Sequence, residues 1–451
     1  MVLLRAGAIA FGGKILQLSL GTVAVLLLPA LMPASAVGTY FLAQVAIAVG
    51  AVLAQAGLTL IAPVYVGEAL VRRDLAGAAG FCRAALLLCL VASMVVCAAG
   101  LLLAWATPAD ILASLGFESS VVWAIVAIIP FAALCAVLAE MHRASSDIAM
   151  ASLLPNGQGA GVALFASFAL AFVFHPYVGQ FLLAGLAGLF LATSVAFFTL
   201  QRRLDMLSAV QAPRLPELAA SALPALVTSV AALIVSLSDQ TIAGFVGGPV
   251  EAAHYGLGLR LSALLTLPLA VVNATIMPQI VALWARGRKR RLQHLLTTSA
   301  AVASFCAALG LAGLAAFAAL GPQPIWDASF APALTVAVIL GSGQVIHTLG
   351  GSSGYLLLLL GYQAAFMRLS LTAGTLAIAL AVPAMSWGGI VGLATVMAFA
   401  NAIQTIAGVF LARRLLGLNS WTRPVSPRRL WGTMTEGAIG RIFGRDMDRR
   451  A

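Results

Sequence analysis

Tyr255-Gly-Leu-Gly-Leu-Arg260, a chargeless run over 261–285 that includes Pro278, then Arg286-Gly-Arg288-Lys289-Arg290-Arg291: this stretch decides the fold. It reads as one apolar helix of membrane length that ends in a basic link. The chain has already built the same unit once, from Tyr40 through Pro63 to Arg72-Arg73. Tyrosine and proline recur at one offset, 215 residues (255 − 40 and 278 − 63). A repeated group of apolar helices with few charges is a pattern found in secondary transporters.

Composition extends this reading to the whole chain. Of 451 residues, 62% are hydrophobic and only 9% charged, where a soluble domain carries about 25% charged residues. Water cannot face that much apolar sequence, so a bilayer is the remaining solvent. Twelve spans can be drawn, at 7–31, 37–63, 81–105, 119–140, 148–174, 178–200, 217–246, 252–284, 294–320, 332–360, 363–385 and 389–412. The expected fold is therefore an all-α integral membrane protein of about twelve transmembrane helices.

A net charge of +11 would suit nucleic acid, but the placement of the charges excludes that partner. Arg72, Arg73, Arg143, Arg202, Arg203 and the Arg286–Arg291 cluster all follow even-numbered spans. Links after odd-numbered spans hold no Lys or Arg; they carry Asp110, Glu118, Glu251 and Asp327. Positive charge concentrates on the cytoplasmic side, which puts both termini there. Trp105, Trp123, Trp326 and Trp387 fall at the opposite interface, where amphipathic rings settle.

Spans 1–6 (residues 1–204) and 7–12 (217–415) form two halves, joined by a linker at 205–216 and followed by a basic tail at 416–451. Gln201-Arg-Arg-Leu204 is echoed by Ala412-Arg-Arg-Leu415. Six spans per half is an even number, so the copies run parallel, related by an axis along the membrane normal. Arg5, Lys14 and Ala34-Ser35-Ala36 imitate a cleaved leader. The apolar run between them is too long for one, and removing it would break the repeat. The five cysteines lie in apolar spans without metal-like spacing and read as small core residues, with no disulfide or metal expected.

Charges inside spans mark the candidate site, because a charge at the bilayer centre costs at least ~3 kcal/mol. Gly247-Gly248-Pro249 predicts a tight turn between spans 7 and 8. Asp239 and Arg260 lie about 15 Å to either side of it along antiparallel helices, so they are expected to meet, as a cavity pair or a structural bridge. Lys14 sits at the inner end of span 1, interfacial or facing the cavity. Span 10 carries Gly341-Ser-Gly-Gln344, His347 and Gly350-Gly-Ser-Ser-Gly354; these either allow close helix packing or present Gln344 and His347 to sugar hydroxyls. A phosphate-binding loop, His-Glu-x-x-His and Cys-x-x-Cys are all absent from the sequence, so no catalytic residue, cofactor or enzyme activity is expected.

These features resemble the multidrug/oligosaccharidyl-lipid/polysaccharide exporter superfamily, most closely its polysaccharide flippase branch. The residues that carry the resemblance are Asp239, Gly247-Gly248, Tyr255 and Arg260, with Gly38-Thr-Tyr40 and Gly57-Leu58 in the first half. The resemblance implies a bacterial inner-membrane flippase that moves a polyprenyl-pyrophosphate-linked oligosaccharide by alternating access. Lys14, Asp239, Tyr255, Arg260, Gln344 and His347 would bind that substrate. Membrane lipids and glycan-assembly proteins would be its other partners. Two further readings stand beside it: a cation-coupled multidrug antiporter with Asp239 as the titratable acid, and a membrane-embedded glycan polymerase or ligase.

Overall fold

The computed structural model describes residues 25–154, 177–206, 215–321 and 326–422. Most of expected spans 1 and 5, Lys14, most of the linker and the tail from 423 lie outside the described residues. Every regular element among the described residues is helical. They are α1 Ala34–Ala54, α2 Leu58–Val71, α3 Leu75–Ala106, α4 Ala109–Ser114, α5 Ser119–Ala144, α6 Ile148–Leu153 and α7 Val178–Leu204. After these come α8 Leu215–Gly247, α9 Pro249–Leu264, α10 Leu267–Ala285, α11 Lys289–Leu320, α12 Ala331–Gly350, α13 Ser353–Leu359 and α14 Gln363–Leu416.

Eight of these helices are long and apolar enough to cross a bilayer, or nine when α9 and α10, bent by 44°, count as one span. The α14 helix has 54 residues, about 81 Å if straight, far beyond a hydrocarbon core of about 30 Å. It is not straight. Gly389 leaves helical geometry at φ 57°, ψ −152°. A Cβ added at Gly392 would lie 2.4 Å from the carbonyl oxygen of Ala384, eight residues back, so the chain reverses there. That reversal falls at the expected boundary between spans 11 and 12.

The chain forms two compact units. One contains the chain through Arg260 together with Leu320–Val336 and Ile378–Leu393; the other contains Leu261–Ala319, Ala337–Ala377 and Ala394 onward.

In the first unit α5 is the central post, packed by α1, α2, α3 and α7. Its small residues Ala132, Ala133, Ala136 and Ala139 are buried together with Ile128, Ile129, Leu138 and Met141, which lets four neighbours approach closely. The α3 helix lies outside it, exposing Leu87, Val91, Met94, Val95, Leu102 and Leu103. An apolar exposed stripe of that length belongs against acyl chains. The basic ends of α5 and α7 are tied by Asp147: it lies 3.2 Å from Nδ1 of the fully buried His142 and accepts from Arg203 at 3.1 Å. Asp147→Ala strips both partners and is expected to cost about 2 kcal/mol, lowering the thermal midpoint of the detergent-purified protein by several degrees. An unchanged midpoint contradicts this role.

The second unit packs its basic-side ends around Ile276, Ile280, Leu292, Leu296, Leu356, Leu357 and Leu416. The segment after α14 is part of that core: Asn419 exchanges hydrogen bonds with Gln293, and Leu418 and Ser420 are buried.

Cys82, Cys89, Cys97 and Cys135 are buried free thiols and Cys306 is half-buried, as small core residues should be. Trp105, Trp123 and Trp387 are exposed. Trp326 corrects the sequence reading. It is buried, and its indole N–H donates to the Leu26 carbonyl at 2.9 Å, because an indole has one donor that a packed interior must satisfy.

Candidate functional site

Two polar places stand out in the first unit. The first begins with a break in the second span. The chain leaves α1 at Gln55 and re-enters helix at Leu58 through Gly57, in the left-handed region at φ 78°. The break packs onto α8: a Cβ added at Gly57 would lie 2.3 Å from the Ala222 carbonyl oxygen and 2.5 Å from the Leu226 nitrogen. Beside this contact lies a cavity of about 650 Å³ between α1, α2, α5 and α8. Ala48, Val52, Leu60, Pro63, Ala232 and Leu233 give it apolar walls, and Gln55, Thr59, Ser229, Ser236, Glu140 and Arg143 supply its polar groups. Glu140 and Arg143 form a close ion pair, with N–O distances of 2.5 and 2.6 Å. Gln55 is buried, 3.5 Å from the Thr59 hydroxyl. The cavity therefore lies toward the basic end of the unit, and its single acid is already paired.

The sequence reading missed this site. It placed none of Glu140, Gln55 and Thr59 in a site. The available signal was a Gln and a Thr four residues apart, one helical turn, inside an apolar span.

The second place lies toward the charge-poor end. Here the expected tight turn is present: α8 stops at Gly247, Gly248 takes φ 87°, and α9 starts on Pro249. Glycine beyond a helix end and proline at a helix start each suit their position. The turn sits against α1, where a Cβ added at Gly38 would overlap the Pro249 backbone. Asp239 does not meet Arg260, as the sequence reading expected. The Tyr255 hydroxyl donates to Asp239 at 3.0 Å instead. Depth along the hairpin placed Asp239 and Arg260 level, but α9 turns about 100° per residue. Arg260 therefore points about 140° away from the face on which Tyr255 meets α8. Arg260 is exposed and makes no ion pair among the described residues. Gln240, next to Asp239, donates to the Phe41 carbonyl at 3.3 Å and fixes α8 to α1.

Gln344 and His347 belong to the second unit and take partners within it. Asn401 donates to Gln344 at 3.3 Å, and His347 Nδ1 lies 3.1 Å from the Thr405 hydroxyl. The glycines around them permit this approach: a Cβ at Gly343 would be 3.0 Å from the Ala398 Cα, and one at Gly350 would be 2.3 Å from the Thr405 methyl. Further along, Ser352 bonds to Asn273. The polar run of span 10 thus stitches α12 to α14 and α10. Lys14 lies outside the described residues. No group of three or more His, Cys, Asp or Glu side chains suited to a metal occurs among the described residues.

No family model matches the sequence, and no curated protein matches it. Solved structures do match the fold. An inward-facing conformation of a multidrug resistance MATE family transporter of the MOP superfamily superposes with a TM-score of 0.66 at 15% identity, over 91% of this chain and 98% of that one. An outward-facing conformation of a multidrug resistance MATE family transporter gives 0.59 at 15% identity, over 92% and 96%. A mutant of the Vibrio cholerae MATE transporter VcmN gives 0.55 at 14%, over 92% and 97%. At these identities the likeness establishes the fold: the chain is a helical multi-pass membrane protein built like the MATE family transporters of the MOP superfamily.

Proposed function

We propose that the chain is an alternating-access exporter of amphipathic, drug-sized organic cations, driven by exchange against a cation. The observation that carries this reading is the cavity between α1, α2, α5 and α8. Its volume of about 650 Å³ falls in the range of small-molecule sites, about 300–1,000 Å³. Its walls are mainly apolar, and Glu140 is the acid among its lining residues. Arg143 and Glu140 neutralise each other, so the cavity offers a pyrophosphate no uncommitted cation, and a cationic cargo relies on the apolar walls with Glu140 balancing Arg143. The fold shared with multidrug resistance transporters supports the same reading. Asp239, hydrogen-bonded between α8 and α9, is the acid for cation exchange.

The proposal includes twelve spans in two parallel halves, 1–204 and 217–415, with both ends cytoplasmic in a bacterial inner membrane. Alternating access comes from rocking of the two halves, and no enzyme chemistry is involved. Within the first unit Gly38 packs on Pro249 at the charge-poor end, and the cavity lies toward the other end.

A second reading keeps one specific observation. Arg260 is an exposed cation without an ion pair among the described residues, placed as in the flippase pattern. In that reading Arg260 and Lys14 take the pyrophosphate of a lipid-linked oligosaccharide, and Gln344 and His347 take its sugars. The partners Gln344 and His347 already have make them less open to sugar. Purified protein in vesicles decides between the readings: export of an amphipathic fluorescent cation supports the first, and translocation of a lipid-linked oligosaccharide without cation export supports the second.

A further inference from the structure

At the charge-poor end of the first unit, two buried polar atoms face each other without a hydrogen-bond partner. His254 on α9 is 5% exposed. Its Nε2 lies 2.8 Å from the Ser329 carbonyl oxygen. A carbonyl only accepts, so Nε2 carries the hydrogen, and in the neutral ring Nδ1 is a bare lone pair. Glu251, one turn earlier, sets its Oε2 3.7 Å from that Nδ1. Both atoms are buried and unpartnered. Two acceptors confronting each other with no donor between them is an unfavourable arrangement. A single proton resolves it.

We infer that the His254–Glu251 pair is a proton-binding site, and that the proton it takes latches α9 to the Asp327–Phe330 segment. With Nδ1 protonated, the imidazolium donates to Glu251 after a small rotation of that side chain. The same positive ring strengthens its bond to the Ser329 carbonyl, because charge-assisted hydrogen bonds are shorter and stronger. The latched segment is firmly set. The Asp327 carboxylate accepts from the Ser329 amide at 2.8 Å, Phe330 packs edge-to-face on the imidazole with ring centroids 6.3 Å apart, and Trp326 donates to Leu26. The Glu251 side chain is 37% exposed, so water delivers the proton from the charge-poor side.

The neighbouring charges agree with this assignment. On the facing segment, Asp327 stays an anion, because hydrogen bonds from Ser329, the backbone one foremost, hold its carboxyl below the usual range. The α4–α5 link, packed on Ala252 through Leu115 and Phe117, brings Asp110 and Glu118. The α8 helix brings Asp239, already bonded to Tyr255. The α1 helix brings the buried Tyr40, and α9 itself carries Arg260 six residues on. The segments Ala331–Val336 and Ile378–Leu393 bring no titratable side chain. A metal fits less well, since no third ligand of the His, Cys, Asp or Glu type joins the pair among the described residues.

The consequence for transport rests on the exporter reading: a proton taken from outside holds that side shut, and its release frees it. Proton binding itself is tested separately. Amide hydrogen exchange over residues 326–331 of the purified full chain is compared at about pH 5.5 and about pH 8, the window in which histidines change charge, after correction for intrinsic exchange. The expected result is about tenfold greater protection at the acid pH, the scale of one charge-assisted hydrogen bond. Glu251→Gln removes the anion from a half-exposed position and is expected to shrink the difference below about twofold; His254→Gln is expected to abolish it, and Asp110→Asn to retain it. Equal protection at both pH values in the wild type, or a preserved difference in Glu251→Gln, overturns the inference. A preserved latch in a protein that exports no cation overturns the exporter reading alone.

Discussion

Gly57→Val is expected to leave almost no correctly folded protein. Gly57 holds φ 78°, a region that costs an ordinary L-residue about 1–2 kcal/mol and a β-branched one more. The larger effect is steric. The new Cβ would stand 2.3 Å from the Ala222 carbonyl oxygen and 2.5 Å from the Leu226 nitrogen. Both are backbone atoms of α8, so no side-chain rotation relieves the overlap. The helix must move, and with it the wall of the cavity formed by Ser229, Ala232 and Ser236. The yield of monodisperse protein in mild detergent is expected to fall by about tenfold or more, as a loss of more than ~1.4 kcal/mol implies. A wild-type yield would show that the break between α1 and α2 does not pack as described.

Glu140→Gln is expected to remove most organic-cation export while leaving the fold intact. The change is isosteric and keeps a hydrogen-bond acceptor near Arg143. What it removes is the negative charge that neutralises Arg143 at 2.5 Å, so the cavity gains an uncompensated cation. At an effective dielectric near 20, two like charges about 4 Å apart repel by about 4 kcal/mol. The Arg143 side chain is 48% exposed, and solvent screening reduces that figure substantially. A residual penalty of about 1.4 kcal/mol still means a tenfold loss of affinity for a cationic cargo. Export measured in vesicles should fall by about that factor, with unchanged yield. An anionic cargo would respond in the opposite direction, so the same variant separates the two functional readings.

The sequence disclosed those parts of the fold that local chemistry dictates. Gly247-Gly248-Pro249 was legible as a turn because glycine and proline each admit few backbone states. Membrane crossing was legible because apolar length and arginine placement are one-dimensional signals. Contacts were not. Asp239 and Arg260 were placed level by counting residues, but which faces of two helices meet depends on rotation about their axes, and Tyr255 took the position expected of Arg260. Trp326 read as an interface ring until its indole N–H was found bonded to Leu26. The cavity was hidden for a related reason. Glu140 looks like any charge at a span end, and only the break at Gly57, leaning on α8, turns it into a lining residue. The run around Gln344 was legible as a packing device or a sugar contact; Asn401 and Thr405 supply the partners that favour packing.

The central claim is that a drug-sized cavity between α1, α2, α5 and α8 carries the cargo. The most direct test fills it. Ala232 lines the cavity and is itself exposed, so Ala232→Trp occupies space without crowding a buried core. Purified wild-type and Ala232→Trp protein are placed in vesicles, and export of an amphipathic fluorescent cation is measured for each. The account predicts export by the wild type and at least a roughly tenfold loss in the variant at equal yield. Equal export by both proteins, or none by the wild type, would contradict it.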